Sequence, residues 1–314
     1  MTIGIGIAGA GAGLAILRAL QAVEAVSRGM VRGFVSLAVL AEDGEVLRAE
    51  TQRGGSATLF DGDPPKRFAD ARIAVLMSSG PDRTEPLSQF TPARADVAFI
   101  TGHRLPNMPG VDGRPLNAAL LARIAQGTAV DAALAEVLEK NPQADAGLIA
   151  IAPDGTVAVG NTGLAARRTD GGFLHTQGAG LDIAILHNAI FPVRGLAEIA
   201  AGAAMDAVAP GDAHDVTLWL KAGLRLTLAD EASVELGKDG VITGISVTNP
   251  GWLGAHWQGA AALRGTPLRR GGRTLGTLVT EAYCVAGDGV LLSCDGADSV
   301  RLFGASDAAR GAGR

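Results

Sequence analysis

One unit written twice constrains this chain more than any other feature: an apolar helix, a β-hairpin turning at Asp-Gly, and a further apolar strand. In the first copy residues 14–28 read as a helix, with Leu17, Leu20 and Val23 on one face and Gly29 and Gly33 as stops. The run from Ala38 to Val46 then turns at Asp43-Gly44. Asp-Gly between apolar runs predicts a hairpin, because Gly accepts the positive φ that such turns need. Ile73-Ala74-Val75-Leu76 is the further strand. In the second copy residues 116–140 read as helical with a break at Gly127-Thr128, where Thr128 is expected to cap a second helix. Its hairpin turns at Asp154-Gly155, and Ile183-Ala184-Ile185-Leu186 completes it; Thr51 and Thr162 each stand seven positions past a turn glycine. Helices each covering a hairpin imply an α/β (α+β) protein with helices layered on antiparallel or mixed sheets. If the copies share one cleft, the strand ends Ser78 and Asn188 face it together, as do Thr51 and Thr162.

The repeat fills residues 1–210. Residues 211–303 read mainly as strands, with further Asp-Gly turns at Asp239-Gly240 and Asp288-Gly289, and are expected to complete the same fold. The Gly/Ala/Arg-rich tail 304–314 is expected to be disordered. With 47% hydrophobic residues, 4% aromatic and 44 glycines, the core must be mostly aliphatic and closely packed. The net charge of −5, without a Lys/Arg run, argues against nucleic acid as a partner. The start Met1-Thr2-Ile3 lacks a basic signal-peptide region, and the apolar run Ile3 to Leu17 is too short to span a bilayer. The expectation is a cytoplasmic protein with a small-molecule substrate and no membrane partner, homo-oligomerisation being left open. Cys284 and Cys294 flank an Asp-Gly turn and are expected as buried thiols.

Several positions carry chemistry. Met before Thr is usually trimmed, and a free N-terminal Thr2 would hold both a nucleophilic hydroxyl and, in its α-amine, a base for the hydroxyl proton. Thr101-Gly102-His103-Arg104-Leu105-Pro106-Asn107 reads as a loop after the strand Val97 to Ile100, packing a base, a cation and an amide together. His103 is a candidate proton shuttle and Arg104 a candidate carboxylate clamp. His187-Asn188 and Ser78-Ser79-Gly80 end the two further strands, Asn161 adjoins Thr162, and Arg53-Gly54-Gly55 offers backbone for close approach to a ligand. The five histidines are scattered, with no H-x-x-x-H and no C-x-x-C, so no metal or other cofactor is expected. The glycine run Gly9 to Gly13 misses the dinucleotide fingerprint, since Leu14 stands where its last glycine belongs.

The stretch Gly127-Thr128-Ala129-Val130-Asp131 through Asn141-Pro142 to Ala146-Gly147 resembles the helix-to-strand segment of isoaspartyl peptidases and glycosylasparaginases. Val35 to Gly55, ending Thr51-x-x-Gly54-Gly55, is similar to the first hairpin of their catalytic subunit. The resemblance covers about a quarter of the chain. It implies an N-terminal-nucleophile hydrolase with an αββα sandwich that cleaves amide bonds. That family's self-cleaving Thr falls at Phe34 here, and the two stretches come in reversed order, so a nucleophile must stand elsewhere, with Thr2 as the candidate, or be absent. The whole chain also resembles a bacterial family with no assigned activity.

The reading is therefore a hydrolase of an amide or cyclic imide bond in a small, carboxylated molecule. Thr2 attacks, Gly54-Gly55 N–H groups hold the oxyanion, Arg104 or Arg53 clamps the carboxylate, and His103 and Asn188 orient the substrate. The alternatives are a non-catalytic binding or assembly protein on the same fold, and a dinucleotide-dependent oxidoreductase.

Overall fold

Small residues set how closely the first strand is approached. The strand β1 (Thr2–Ala8) alternates Ile3, Ile5 and Ile7 with Thr2, Gly4, Gly6 and Ala8. A Cβ added to Gly4 would stand 2.3 Å from the carbonyl oxygen of Gly102, so glycine there lets a second sheet lie directly against this one. The computed structural model describes residues 1–28, 31–191, 194–209 and 216–306. The chain divides into two compact units, Met1–Ala209 and Pro210–Arg314.

In the first unit β1 is followed by α1 (Ala12–Val26), β2 (Val35–Leu40), β3 (Val46–Thr51), α2 (Lys66–Ala69), β4 (Ile73–Ser79), β5 (Ala93–Arg94) and β6 (Ala98–Arg104). Then come α3 (Leu116–Ala125), α4 (Val130–Lys140), β7 (Ala146–Ile151), β8 (Val157–Asn161), α5 (Gly163–Ala166), β9 (Gly171–Gly178), β10 (Leu181–Asn188) and α6 (Leu196–Val208). A six-stranded sheet has the order β3-β2-β4-β1-β10-β9 and a four-stranded sheet the order β5-β6-β7-β8. Helices α1 and α6 cover the larger sheet through the isoleucines of β1, and α3 and α4 cover the smaller through Ile100 and Leu148. Between the sheets Phe99, Ile149 and Ile151 meet Ala38, Val75 and Leu186. The unit is thus an αββα sandwich. Each fully buried Ile or Leu side chain contributes about 1.5–3 kcal/mol, so these three apolar layers hold the fold.

The duplicated helix and hairpin appear once in each sheet. Gly44 (φ 84°) donates its N–H to Ala41 and Gly155 (φ 92°) to Ala152, both at 2.9 Å. Asp43 and Asp154 each accept the N–H two residues on, from Glu45 and Thr156. The further strands β4 and β10 both join the larger sheet and flank β1 on either side. Thr128 does not cap α4; the cap position is Ala129, and Gly127, at φ 90°, makes the turn. Helix α1 ends at Val26, and Gly29, one of its expected stops, lies outside the described residues. The glycine run after β1 serves close backbone approach, since a Cβ on Gly13 would stand 1.6 Å from the Phe68 carbonyl oxygen. Every ladder β1 makes is antiparallel, so the run does not open a parallel βαβ unit.

The second unit contains β11 (Val216–Lys221), β12 (Leu226–Leu228), β13 (Ser233–Leu236), β14 (Ile242–Val247), β15 (Trp257–Ala260), β16 (Pro267–Arg270), β17 (Arg273–Leu278), β18 (Tyr283–Gly287), β19 (Val290–Cys294) and β20 (Ser299–Ser306). They form a seven-stranded mixed sheet and a three-stranded one. Leu218, Val234, Ile245, Leu268 and Leu302 build a core within this unit. Cys284 and Cys294 face each other across β18 and β19 as buried free thiols. Burial pushes both above the ordinary thiol value, Cys294 to about 12. The expected tail is ordered through Ser306 as the end of β20, and 307–314 lie outside the described residues. Among the described residues no helix is long and apolar enough to cross a membrane.

Candidate active site

At one end of the sandwich the apolar layer between the sheets turns polar. Thr2 opens β1, and in register it lies opposite Ser79 of β4 and Asn188 of β10. From the facing sheet, the ends of β6 and β8 bring His103, Arg104 and Asn161. The Thr2 side chain has two partners. Its hydroxyl donates to Asn188 Oδ1 at 2.5 Å, and its oxygen accepts the backbone N–H of Arg104 at 2.6 Å. Thr2 is 4% exposed, so both bonds are shielded from water and hold the oxygen in one place.

Arg104 adopts φ 61°, a left-handed conformation that costs a non-glycine residue about 1–2 kcal/mol. Its buried guanidinium is held on two sides, by Asp170 at 2.5 Å and Asp145 at 3.4 Å. These ion pairs fix the residue so that its N–H points at Thr2. Burial alone would raise the Asp170 carboxyl, but the Arg104 hydrogen bond and charge outweigh it and hold it below the usual value. His103 pairs its Nε2 with Asn161 Oδ1 at 2.8 Å above Gly147, where a Cβ would stand 2.2 Å from Asn161 Oδ1. Burial drives the His103 ring down to about 4, assisted by the charge of Arg104 and opposed by the Asn161 bond.

On the other side of Thr2, Ser79 donates its hydroxyl to the Met1 carbonyl at 2.5 Å and accepts from Arg83 Nη2 at 2.5 Å. The Arg83 guanidinium lies 5.7 Å from the centre of the Phe34 ring. Among the described residues no carboxylate lies within ion-pair distance of it. The terminal amine on Met1 is pushed below its ordinary value, first by partial burial and then by the charges of Arg83 and Arg104.

Among the described residues, the buried side-chain polar atoms lacking a hydrogen-bond partner are Ser78 Oγ, Arg83 Nε, His103 Nδ1, Arg104 Nε, Asp145 Oδ1 and His187 Nδ1. All lie on the residues at or just beyond the strand ends around Thr2. Each such atom costs about 1–3 kcal/mol. Asp145 Oδ1 is offset by its ion pair with Arg104, and the others gather at this end of the sandwich on both faces of the larger sheet.

Eight expected residues therefore converge on this end: Thr2, Ser78, Ser79, His103, Arg104, Asn161, His187 and Asn188. Strand alternation separates them by face, however. Ser78 and His187 share a row with Ile3, whose side chain belongs to the helix layer, so they point away from Thr2. Thr101 to Arg104 belong to β6 rather than to a loop, which buries them; the side chain of Arg104 is ion-paired and closed to a substrate. The Gly54 and Gly55 N–H groups already donate to the Arg32 and Gly33 carbonyls, so they hold no oxyanion. Arg53 is exposed and paired with Asp82, and Asn107 donates to Gln89. Thr51 bonds to Thr58 at the edge of the larger sheet, whereas Thr162 caps α5 beyond the smaller, so this pair shares no cleft. Phe34 is fully buried beside Phe90 and Met77. Sequence reasoning missed Arg83, Asp145 and Asp170, none of which sits in a recognisable pattern, and gave no role to Gly147.

Residues 2–217 match the family model described as a domain of unknown function (DUF6963), which covers more than half of the chain. The protein belongs to this family. The family region takes in the sandwich, including every residue around Thr2. Residues 223–299 match a second model, also described as a domain of unknown function (DUF7259). No curated protein matches the chain.

Proposed function

We propose that this protein hydrolyses an amide or cyclic imide C–N bond in a small, carboxylated molecule, with Thr2 as nucleophile once its α-amine is free. The position of Thr2 carries the reading: it opens a central strand, and its hydroxyl is fixed by Arg104 N–H and Asn188 within the polar end of an αββα sandwich. The Thr2 oxygen forms a bond to the acyl carbon while its proton passes to the α-amine and the carbonyl electron pair moves onto oxygen. Collapse of that intermediate breaks the C–N bond, and the leaving nitrogen takes the proton back. Water then cleaves the Thr2 ester by the same route. A free α-amine ordinarily titrates near pH 8, so a neutral fraction is available as a base close to pH 7. The reaction as written requires no metal or cofactor, and the reading sets it in the cytoplasm.

The buried Phe34 at the position of the related family's processing Thr favours a second reading, a binding protein without turnover. A screen of small amides, cyclic imides and ureides for ammonia release separates the two. Turnover by the wild type that disappears in Thr2→Ala supports hydrolysis. Turnover that survives in Thr2→Ala rules out the Thr2 mechanism.

A further inference from the structure

The Thr2 mechanism needs hydrogen-bond donors where the acyl oxygen becomes negative, and the expected donors at Gly54 and Gly55 are committed to other carbonyls. The chain itself shows where such donors are. The Met1 carbonyl carbon is bonded to the Thr2 nitrogen, and its oxygen receives the Ser79 hydroxyl at 2.5 Å. Behind Ser79, Arg83 donates to the same hydroxyl at 2.5 Å, leaving its buried Nε without a partner. When Met1 leaves, these donors keep their aim at the space beside the Thr2 amine and hydroxyl.

We infer that Ser79, polarised by Arg83, is the oxyanion donor of the Thr2 site, taking the oxygen of the substrate's acyl group where the Met1 carbonyl lies in the intact chain. This assignment rests on Thr2 being the nucleophile. In the attacking step the carbonyl electron pair moves onto that oxygen. The Ser79 O–H shortens its bond to it, and the Arg83 charge, with no carboxylate within ion-pair distance among the described residues, stabilises the anion through Ser79. Such donors act strongly because the site excludes water; Ser79 is 1% exposed. The same arrangement favours ligands that present an anionic or strongly polarised oxygen to Ser79.

Phenylboronic acid tests this directly, since it forms a tetrahedral boronate on a nucleophilic hydroxyl and places an oxygen in the oxyanion position. Binding to the wild-type protein with Met1 removed is followed by boron NMR and titration. The expected result is a tetrahedral adduct that is absent in Thr2→Ala and weakened about 10-fold or more in Ser79→Ala and Arg83→Gln. Arg83→Lys, which keeps the charge, should recover part of the affinity and guards against a mere folding defect. Equal affinity in wild type, Ser79→Ala and Arg83→Gln, with Thr2→Ala still blind to the probe, overturns the oxyanion assignment alone. No adduct in the wild type, or an adduct that persists in Thr2→Ala, overturns the Thr2 reading and this assignment with it.

Discussion

The two ends of the sandwich are built from the same strands and differ in what they leave unsatisfied. At the far end the hairpin turns at Asp43-Gly44 and Asp154-Gly155 close on themselves, with each Asp side chain and each Gly N–H bonded within its own turn. At the near end Thr2, Ser79, Asn188, His103, Asn161 and Arg104 meet in a water-poor space, and the unpartnered buried atoms gather on and around them. A left-handed non-glycine residue, Arg104, is held there by two carboxylates. One end is closed by its own turns with exposed contacts from Arg67 and Arg72 added; the other is held in a strained, buried polar state by long-range contacts. That asymmetry supports the near end as the proposed site.

The largest effect that sharpens the contrast is expected from Thr2→Ala, which should lower ammonia release from a turned-over amide by more than about 10³-fold. Acid should break the near end first. The His103 ring titrates at about 4 in the fold against an ordinary value near 6.5, so between those values the unfolded chain binds the extra proton. From this ring stability should fall as pH drops from 7 to 4, by up to about 3 kcal/mol, and the Asp170 carboxyl, held below its usual value, should extend the loss at lower pH. Urea midpoints at several pH values measure this, and His103→Gln should flatten the curve. Gly147→Ala drives a Cβ into the His103–Asn161 bond and should cost about 2 kcal/mol in the same assay. Arg104→Gly and Arg104→Ala both lose the ion pairs, but only glycine accepts φ 61° freely. The glycine variant should therefore be about 1 kcal/mol more stable and keep more of the rate. Gly155→Ala at the far end, where φ is 92°, should cost about 1 kcal/mol and leave the rate unchanged.

What could be read in advance follows from the range of the forces involved. The Asp-Gly turns were legible because they depend on two adjacent residues, and the layered fold followed from a helix accompanying each hairpin. The convergence of Ser79 and Asn188 on Thr2 was half legible: the repeat pointed to both strand ends, but only the pairing of β4 and β10 with β1 placed Thr2 between them. Thr101 to Arg104 read as a loop because Gly102 beside polar residues imitates one. In the fold that glycine serves the close contact with Gly4, a relation between positions a hundred residues apart. Asp170 left no local signal, since it acquires its role through Arg104, 66 positions away, and Arg83 gains its place because Ser79, which it bonds, reaches Met1, 78 positions away.

The account stands on Thr2 carrying a free amine at the near end. The most direct measurement is N-terminal sequencing with intact mass of the protein fraction that turns over an amide. The account predicts Thr2 as the first residue of every active molecule. Full turnover by molecules that still carry Met1 would contradict it.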